Sequence, residues 1–408
     1  MVEPGPDPRL RRNYWLLIAS CVGLQITSST IYMVLPLFFQ NCGISNAGVG
    51  VLISVGTFGG VLSGVLAGKL SDRHGRKPFL LLGGFLYSLV FFLFAFLGKN
   101  FLTFFVLRFI EGFGFFIIPV MVVSMASDTF PPIQLGRAIA LFSVSTGIGQ
   151  LIGPIFAGYF LEAADFITYF VFCGLFSLLS LTVFFFVRET LDRGAGFHGA
   201  PPERTGLLGG VRRFWIQTRG LGRVYLVFLG AVLVYRVGYT MVDPLFSLFL
   251  KNVLHLNMSS MSYLFAVRAL CTILFAPVCG YCADRIGRKP TFLAGMALGC
   301  LTMIAYTTVD SYASVMAVRV LDSISVVVLL TVIRTIIADL VQPAMRGFGQ
   351  GLASSISQES STIGAIFGGV VSDLLGFNGI FLCAAAGAAM ALGIVSAWVT
   401  ESSASRRP

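Results

Sequence analysis

The stretch GKLSDRHGRKP, from Gly68 to Pro78, places a run of charged residues between two long apolar segments. Its pattern returns as GYCADRIGRKP, from Gly280 to Pro290, at an offset of 212 residues. Within each copy, glycine permits a tight bend and proline begins the next helix. A charged turn that occurs twice in so apolar a chain predicts a duplicated architecture.

Other residues repeat at nearly the same distance. The pairs at an offset of 211 are Arg108 and Arg319, Glu111 and Asp322, Asp128 and Asp339, Gly153 and Gly364, and Gly158 and Gly369, and Pro36 matches Pro244 at 208. We therefore predict two halves, residues 1–187 and 223–408. The segment 188–222, rich in Gly, Pro and Arg, is predicted to be a linker with a short amphipathic helix around Val211 to Thr218.

The composition is that of an integral membrane protein. The chain is 56% hydrophobic and 11% charged, against roughly 25% charged in a soluble domain. Apolar stretches of about 20 residues recur throughout, which predicts membrane-spanning helices and excludes a barrel. The predicted spans, numbered 1 to 12, are approximately residues 14–39, 47–70, 79–97, 101–127, 135–161, 166–187, 223–250, 261–283, 291–309, 312–338, 347–374 and 378–399. The fold class is all-α with two six-helix halves.

The distribution of basic residues predicts the orientation. With the N-terminus in the cytoplasm, 21 of the 28 Lys and Arg residues fall in cytoplasmic segments, and only Lys99 and Lys251 in external loops. Short cytoplasmic loops carry such an excess of positive charge. Both termini are therefore expected to be cytoplasmic, which requires an even number of spans.

Several other classes of protein are excluded by the residues. The net charge of +10 is scattered over seven cytoplasmic segments, so no nucleic-acid partner is expected. Cys279 and Cys282 form a CxxC sequence, but no second pair completes a metal site. No nucleophile with a nearby base is recognisable. We expect neither an enzyme nor a bound metal or cofactor.

Three motifs resemble those of one transporter family. The loop GKLSDRHGRKP looks like the signature of the major facilitator superfamily, and RFIEGFG in span 4 is similar to its RxxQGxG pattern. GQLIGPIFAG in span 5 resembles the GxxxGPxxGG pattern of the superfamily's antiporters, although Ala157 stands where that pattern has glycine. The resemblance covers all twelve spans. It implies two six-helix bundles that rock about a shared midplane site, in a protein that works as a monomer.

The repeated loops are predicted to form a cytoplasmic gate. The expected gate residues are Gly68, Asp72, Arg73, Gly75, Arg76, Asp128, Asp284, Arg285, Gly287, Arg288 and Asp339. Asp72 with Arg73 and Arg76, and Asp284 with Arg285 and Arg288, are expected to form ion pairs that hold helix ends together in one conformation and break in another. The resemblance implies that Asp128 joins the first cluster, and that Asp72 approaches the N-terminus of span 11 when the inner side is shut. Alternatively, these charges only set the topology.

Glycines four residues apart predict close helix packing. The candidates are Gly56, Gly60, Gly64 and Gly68 in span 2, Gly149 and Gly153 with Pro154 in span 5, and Gly364 and Gly368 in span 11. Smooth glycine surfaces suit helices that slide during rocking, and they suit static packing equally well. The spacing does not distinguish the two.

Charged residues inside the spans are the candidates for proton coupling. An ionisable group at midplane costs at least roughly 2.5 kcal/mol on insertion scales, so each needs a partner or water. The candidates are Glu111, Arg108, Glu359 and Asp322. Glu111 replaces the glutamine of the family pattern and is the first candidate, followed by Glu359. Alternatively, Arg108 with Glu111 and Arg319 with Asp322 simply neutralise each other within one helix.

Arginines without an acid three or four residues away are the candidates for substrate binding. They are Arg236 and Arg268, with Arg334 a weaker case, and the alternative is that they pair across helices with Asp243, Glu359 or Asp339. A guanidinium facing the cavity would suit an anionic or zwitterionic substrate. The polar side chains expected to line that cavity are Tyr32, Tyr235, Tyr239, Gln25, Gln150 and Gln358.

We expect a secondary transporter that moves a small organic molecule by alternating access. No nucleotide-binding loop is evident, so the energy should come from an ion gradient. Proton-coupled efflux by antiport is favoured by the span 5 pattern and by a Phe-rich chain suited to amphiphiles. The alternatives are an uptake or exchange carrier for carboxylates or phosphate esters, and a receptor or scaffold that keeps the fold without transport.

Overall fold

The computed structural model describes residues 8–191 and 215–398. The helices of the first half are Pro8–Ser28 and Ile31–Asn41 in span 1, Asn46–His74 in span 2, Arg76–Phe96 in span 3, Phe101–Thr129 in span 4, Pro132–Ala163 in span 5 and Phe166–Phe186 in span 6. Those of the second half are Arg223–Val242 and Phe246–Asn252 in span 7, Met258–Ile286 in span 8, Arg288–Ala305 in span 9, Tyr312–Leu340 in span 10 and Arg346–Trp398 in spans 11 and 12.

The chain is an integral multi-pass membrane protein. Eleven helices of the described ranges are long and apolar enough to cross a membrane. The last one has 53 residues and would be about 80 Å long if straight. Gly376, with φ 71° and ψ −176°, breaks it into two crossings and brings the total to twelve. The predicted number of spans is confirmed.

Two sequence predictions need adjustment. Span 2 extends past residue 70, so that His74, predicted to lie in a loop, is the last residue of its helix. Half of the helix predicted around Val211 to Thr218 lies outside the described residues, and residues 215–220 are helical.

Five of the helices begin at a capping side chain. Ser45, Asn100, Asp165, Asn257 and Ser311 each accept a hydrogen bond from the backbone N–H three residues further on. Such caps satisfy one of the free N–H groups of the first helical turn. They start the even-numbered spans 2 to 10 at the same end of the bundle, opposite the two charged loops.

The duplication is visible in individual hydrogen bonds. Ser29 Oγ donates to the Gly149 carbonyl at 2.9 Å, and Thr240 Oγ1 donates to the Ser360 carbonyl at 2.7 Å. Both partners of the second bond lie 211 residues after those of the first. In both halves this bond joins the first span to the fifth. The matching contacts show two structurally equivalent bundles.

Aromatic clusters fill each half near the capped end. In the first half Phe38 packs against Phe104 and Phe170 with ring centroids 5.4 and 4.8 Å apart. In the second half Phe249 lies 4.9 Å from Phe381, whose ring stacks on Tyr306 at 5.1 Å. Burial of several large rings beside one another explains much of the phenylalanine content.

The predicted glycine stripes pack within their own halves. A Cβ at Gly60 would meet the Phe116 ring of span 4, and Val120 lies 3.8 Å from a Cβ at Gly64 and 4.0 Å from one at Gly68. The remaining contacts are Gly56 with Arg108, Gly149 with Gln25, Gly153 with Ser29, Gly364 with Thr240 and Gly368 with Met241, while Pro154 is buried inside span 5. These contacts favour static packing over surfaces that slide between the halves.

Candidate functional site

The hydrogen bonds that the described residues make between the two halves lie toward one face of the bundle. We call the face with the two charged loops the basic face and the other the opposite face. Within the described ranges, hydrogen bonds between the halves lie from the middle of the spans to the opposite face; examples are Ser54 Oγ to the Thr362 carbonyl at 2.8 Å and Asn252 to Gln40 at 3.2 Å. The halves are therefore joined toward the opposite face, and no hydrogen bond between described residues joins them at the basic face.

Two equivalent carboxylates close the opposite face. Glu162 in span 5 accepts a hydrogen bond from the Ser259 N–H at 2.9 Å, and Asp373 in span 11 accepts one from the Ala47 N–H at 2.9 Å. The two donors are the second residues of the span 8 and span 2 helices. Each acid thus caps the positive N-terminus of a helix from the other half.

Three glycines allow the halves to meet closely beside these caps. A Cβ at Gly50 would collide with the Ala365 carbonyl, one at Gly369 would lie 2.6 Å from the Asn46 carbonyl, and one at Gly158 would lie 2.5 Å from Ser262. These glycines, and not the predicted stripes, form the contact between the halves. The internal repeat includes Gly158 and Gly369. The sequence did not predict that they lie between the halves, because the packing prediction relied on glycines spaced four residues apart.

The first charged loop forms an ion-pair cluster at the basic face. Arg76 Nη1 lies 2.5 Å from Asp72 Oδ1, and Arg76 Nε lies 3.2 Å from Asp128 Oδ2. Asp128 also accepts from Thr190 Oγ1 at 3.0 Å. Arg73 is exposed. Asp72 pairs within its own half here, as expected when the basic face is open.

The second loop differs from the first. Arg288 pairs with Asp339, and no ion pair joins it to Asp284 among the described residues. Asp284 is exposed, and Arg285 lies over the Tyr281 ring at 5.1 Å. The expected Asp284 pair is therefore absent in this conformation. Arg288 sits across from Asp339, because the helix of span 10 ends beside the start of span 9.

Glu189, after span 6, was not among the predicted gate residues. Its carboxylate accepts from the Arg76 N–H at 2.9 Å and the Lys77 N–H at 3.0 Å, which caps span 3. Partial burial acts to raise the pKa of Glu189, but the backbone N–H donors outweigh it and hold the pKa below its usual value. Gly75, with φ +103°, places the chain so close that a Cβ there would meet this carboxylate. Gly287 has a similar conformation at φ +113°.

The charged pair of span 4 is buried in the first half. Arg108 pairs with Glu111, and both side chains are at most 5% exposed. Arg108 Nε also donates to the Leu52 carbonyl of span 2 at 3.2 Å. Gly56 leaves the space that this guanidinium occupies. The pair therefore neutralises its charge and ties span 4 to span 2.

The second half repeats this arrangement around Arg319. Its Nη1 lies 3.2 Å from Asp322 Oδ2, and its Nε donates to the Leu264 carbonyl of span 8 at 3.1 Å. Tyr239 donates to the same Asp322 oxygen at 3.3 Å, which leaves Asp322 Oδ1 buried without a partner in the described residues. The pairing within one helix, considered above, is thus present in both halves.

The second half carries additional charge. Arg268 Nη1 lies 2.9 Å from Asp243 Oδ1, and its guanidinium lies over the Tyr239 ring at 5.5 Å. Asp243 stands at the break between the two helices of span 7 and belongs to this cluster through its pair with Arg268. Arg236 lines a cavity between spans 7 and 10, and its buried Nε has no hydrogen-bond partner in the described ranges.

Of the six tyrosine and glutamine residues predicted to line the substrate cavity, two lie in the cavity beside Arg236. Tyr235 and Tyr239 line the same cavity as Arg236. Gln25 is buried against Gly149, Gln150 is exposed, Tyr32 is 39% exposed, Gln358 and Glu359 are half-buried, and Arg334 is exposed. No group of three or more His, Cys, Asp and Glu side chains that could hold a metal ion occurs in the part of the chain that the structure describes.

A chain of twelve membrane-crossing helices in two equivalent halves, each with a buried ion pair, has the architecture of a membrane transport protein. The model of the Major Facilitator Superfamily matches residues 16–235 and 227–408. The chain belongs to this family, as its motifs predicted. It is a transporter and not an enzyme.

Curated relatives are similar over nearly the whole chain. The multidrug resistance protein MdtG of Proteus mirabilis is 23% identical over 404 residues, which is 96% of each protein. Multidrug resistance protein 1 of Bacillus subtilis is 23% identical and covers 90% of each. These identities support a common ancestry.

Solved structures show the same fold. The nucleoside transporter NupG has a TM-score of 0.79 at 12% identity, over 95% of this chain and 98% of that one. A bacterial homologue of the human lysosomal transporter Spinster, crystallised inward-facing and unoccupied, has a TM-score of 0.73 at 17% identity, over 96% and 95%.

Proposed function

We propose that the protein is a proton-coupled exporter of small amphiphilic molecules that works by alternating access. The halves 1–187 and 223–408 are the rocking bodies, 188–222 is their linker, and one chain suffices. Both termini and the basic face are cytoplasmic, because that face carries most of the positive charge. The conformation described here is then the one open to the cytoplasm.

The single observation that carries proton coupling is the buried pair of Arg108 and Glu111. Arg108 connects Glu111 to the backbone of span 2, and span 2 contacts the other half through Gly50 and Ala47. Protonation of Glu111 would leave Arg108 buried without its counter-charge. The conformation in which the two are joined would lose stability, and the opposite face would open.

Asp322 provides the equivalent connection in the second half. Its protonation has a smaller effect in this account, because Oδ1 is free to take a proton without breaking the bonds from Arg319 and Tyr239. The side chain of Glu359 has neither an ion pair nor a hydrogen bond among the described residues. Glu111 therefore remains the first candidate.

Export is supported by the relatives and by the antiporter-like span 5 pattern. Relatives at about 23% identity are named multidrug resistance proteins. The cytoplasmic gate predicted at the charged loops fits the same cycle. When the basic face closes, exposed Asp72 is free to leave its contact with Arg76 for the N-terminus of span 11.

A dye-flux assay with a pH gradient tests the proposal. Proteoliposomes are loaded with ethidium as a cationic probe or with 1-naphthylacetate as an anionic one, and an acid-outside or acid-inside gradient is imposed. At least one probe should move against its own gradient and stop when nigericin collapses the proton gradient. Movement of neither probe, or movement unaffected by nigericin, contradicts the proposal.

Matched variants then identify the proton carrier. Glu111→Gln should lower gradient-driven flux at least tenfold and leave probe exchange without a gradient intact. Glu359→Gln is the control and should retain coupled flux. The reverse result, with Glu359→Gln uncoupled and Glu111→Gln unaffected, would refute the assignment to Glu111.

A further inference from the structure

We propose that the substrate is an amphiphilic organic anion whose carboxylate binds Arg236. This inference names the cargo of the proposed transporter and rests on that function. It specifies that the substrate is an anion, whereas the sequence left both cations and anions open. The evidence is that Arg236 has no ion-pair partner among the described residues and that its side chain lines a mostly apolar cavity.

Arg236 differs from the other buried arginines in having no partner. Arg108, Arg268 and Arg319 each pair with an acid. No ion pair engages Arg236 in the described residues, and its Nε is buried without a hydrogen bond. A buried N–H without an acceptor is costly, because it has given up water without gaining a hydrogen bond. An anionic ligand would supply the missing acceptor.

The local charge balance also favours an anion. The cluster of the second half contains Arg236, Arg268 and Arg319 against Asp243 and Asp322. One positive charge is left over when both aspartates are ionised. Asp243 carries a single negative charge and pairs with Arg268, so it cannot neutralise both arginines. A ligand with one negative charge would neutralise the cluster, whereas a cation would add to its excess.

The rest of the cavity selects an apolar body for the ligand. Its volume is about 90 Å³, and it is partly open to solvent. Besides Arg236, the lining consists of the aliphatic Val232, Val326, Leu329, Leu330 and Ile333, the aromatic Tyr235, Tyr239 and Phe292, and Ser357. One cation in such surroundings fits a monocarboxylate with a hydrophobic body better than an inorganic ion or a sugar.

The duplication shows that the fold does not need an arginine here. The hydrogen bonds of Ser29 and Thr240 are related by 211 residues, and the same offset places Gln25 of the first half at the position of Arg236. The amide of Gln25 accepts from Ser28 Oγ at 3.2 Å and fills its site without a charge. Arg236→Gln is therefore a substitution that the architecture already tolerates in its other half.

Equilibrium binding to the purified full chain in detergent tests the inference. The probes are 1-naphthylacetate and 4-phenylbutyrate, each compared with its neutral amide and with the amine of the same body. Titration by intrinsic fluorescence and by thermal stabilisation should show saturable binding of at least one carboxylate, with its amide and amine at least about tenfold weaker. Arg236→Gln should lose that preference, and Arg236→Lys should retain part of it.

Controls separate binding from folding and from transport. Gln25→Ala should bind the carboxylate like the unmodified chain, and the melting temperature of each variant without probe reports whether it folds. If Arg236→Gln fails to fold, the deciding measurement is whether the carboxylate preference of Arg236→Lys is weaker than that of the unmodified chain, and an unchanged preference would overturn the inference. Equal binding of carboxylate, amide and amine, or no carboxylate binding at all, would overturn the inference. Carboxylate binding through Arg236 without proton-driven flux would instead contradict the proposed function alone.

Discussion

The first half of the molecule buries one arginine with one acid, whereas the second half buries the same pair and adds further charge. Arg108 and Glu111 are joined to span 2 as Arg319 and Asp322 are joined to span 8. Only the second half also has Arg236, Arg268 and Asp243. The shared part belongs to the mechanics of the fold, and the additional part belongs to what distinguishes this transporter.

The difference suggests a division of labour. In the first half the charges of Arg108 and Glu111 cancel, so a single proton on Glu111 leaves the buried pair with the unbalanced positive charge of Arg108. In the second half Arg268, Asp243 and Arg236 add to the pair of Arg319 and Asp322, so we propose that a proton on Asp322 changes the charge balance less. The predictions below test this contrast.

Removal of each buried arginine should have unequal effects. Arg108→Gln leaves Glu111 buried with no other basic partner, and we expect a loss of about 3–5 kcal/mol in the free energy of unfolding. Arg319→Gln should cost less, because Asp322 keeps the Tyr239 hydrogen bond. Thermal or denaturant unfolding in detergent measures both.

The control for that prediction is the double variant Arg108→Gln with Glu111→Gln. It should recover much of the loss, since no unpaired charge remains. Equal losses for Arg108→Gln and Arg319→Gln would remove the proposed contrast between the halves.

The glycines of the opposite face should behave alike in the two halves. Gly158→Ala and Gly369→Ala place a Cβ within 2.6 Å of the other half, so the closed opposite face should be strained. Overpacking of this kind costs typically about 1–3 kcal/mol. When either substitution is combined with Ser54→Cys, we expect the new cysteine to react with an impermeant maleimide at least about fivefold faster than in Ser54→Cys alone. Gly149→Ala, which packs within one half, should not change that reactivity.

The carboxylate caps should have a smaller effect on the same reaction. Glu162→Gln and Asp373→Asn remove the charge that faces a helix N-terminus of the other half while keeping an acceptor. Each should raise the Ser54→Cys reactivity by about twofold, and the two together should act additively. A decrease in reactivity would mean that these acids do not stabilise the closed face.

The smallest effect is expected at Glu189. Because its pKa is held below the usual value, it stabilises the fold at a pH above that value and loses the contribution as the pH falls through the folded pKa. Glu189→Gln should therefore lower the melting temperature near neutral pH by about 2 °C or less. The difference in melting temperature from the unmodified chain should vanish in acid. A difference that grows as the pH falls would contradict this role of Glu189.

The sequence was sufficient for the architecture because local patterns carry it. The repeated loops, the spacing of apolar segments and the Arg108–Glu111 and Arg319–Asp322 pairs involve residues close in the chain. Arg76 with Asp128 was accessible through the family resemblance. These predictions needed no knowledge of how helices far apart in sequence pack.

The contacts that were missed join distant residues. Ser259 and Glu162 are separated by 97 residues, and Ala47 and Asp373 by 326. An acid at a helix end gives no sign of the helix that it will cap. Arg236 and Arg268 are likewise equivalent in sequence, and only their three-dimensional surroundings show that Arg268 has a partner.

The central claim is that charge loss at Glu111 rocks the halves, and distances across both faces test it most directly. Spin labels at Gly136 and Gly280 report the basic face, and labels at Gly43 and Val253 report the opposite face, in a background without the accessible native cysteines. Glu111→Gln should shorten the first distance and lengthen the second in the same sample. Unchanged distances, or a change of the same sign at both faces, would contradict the account.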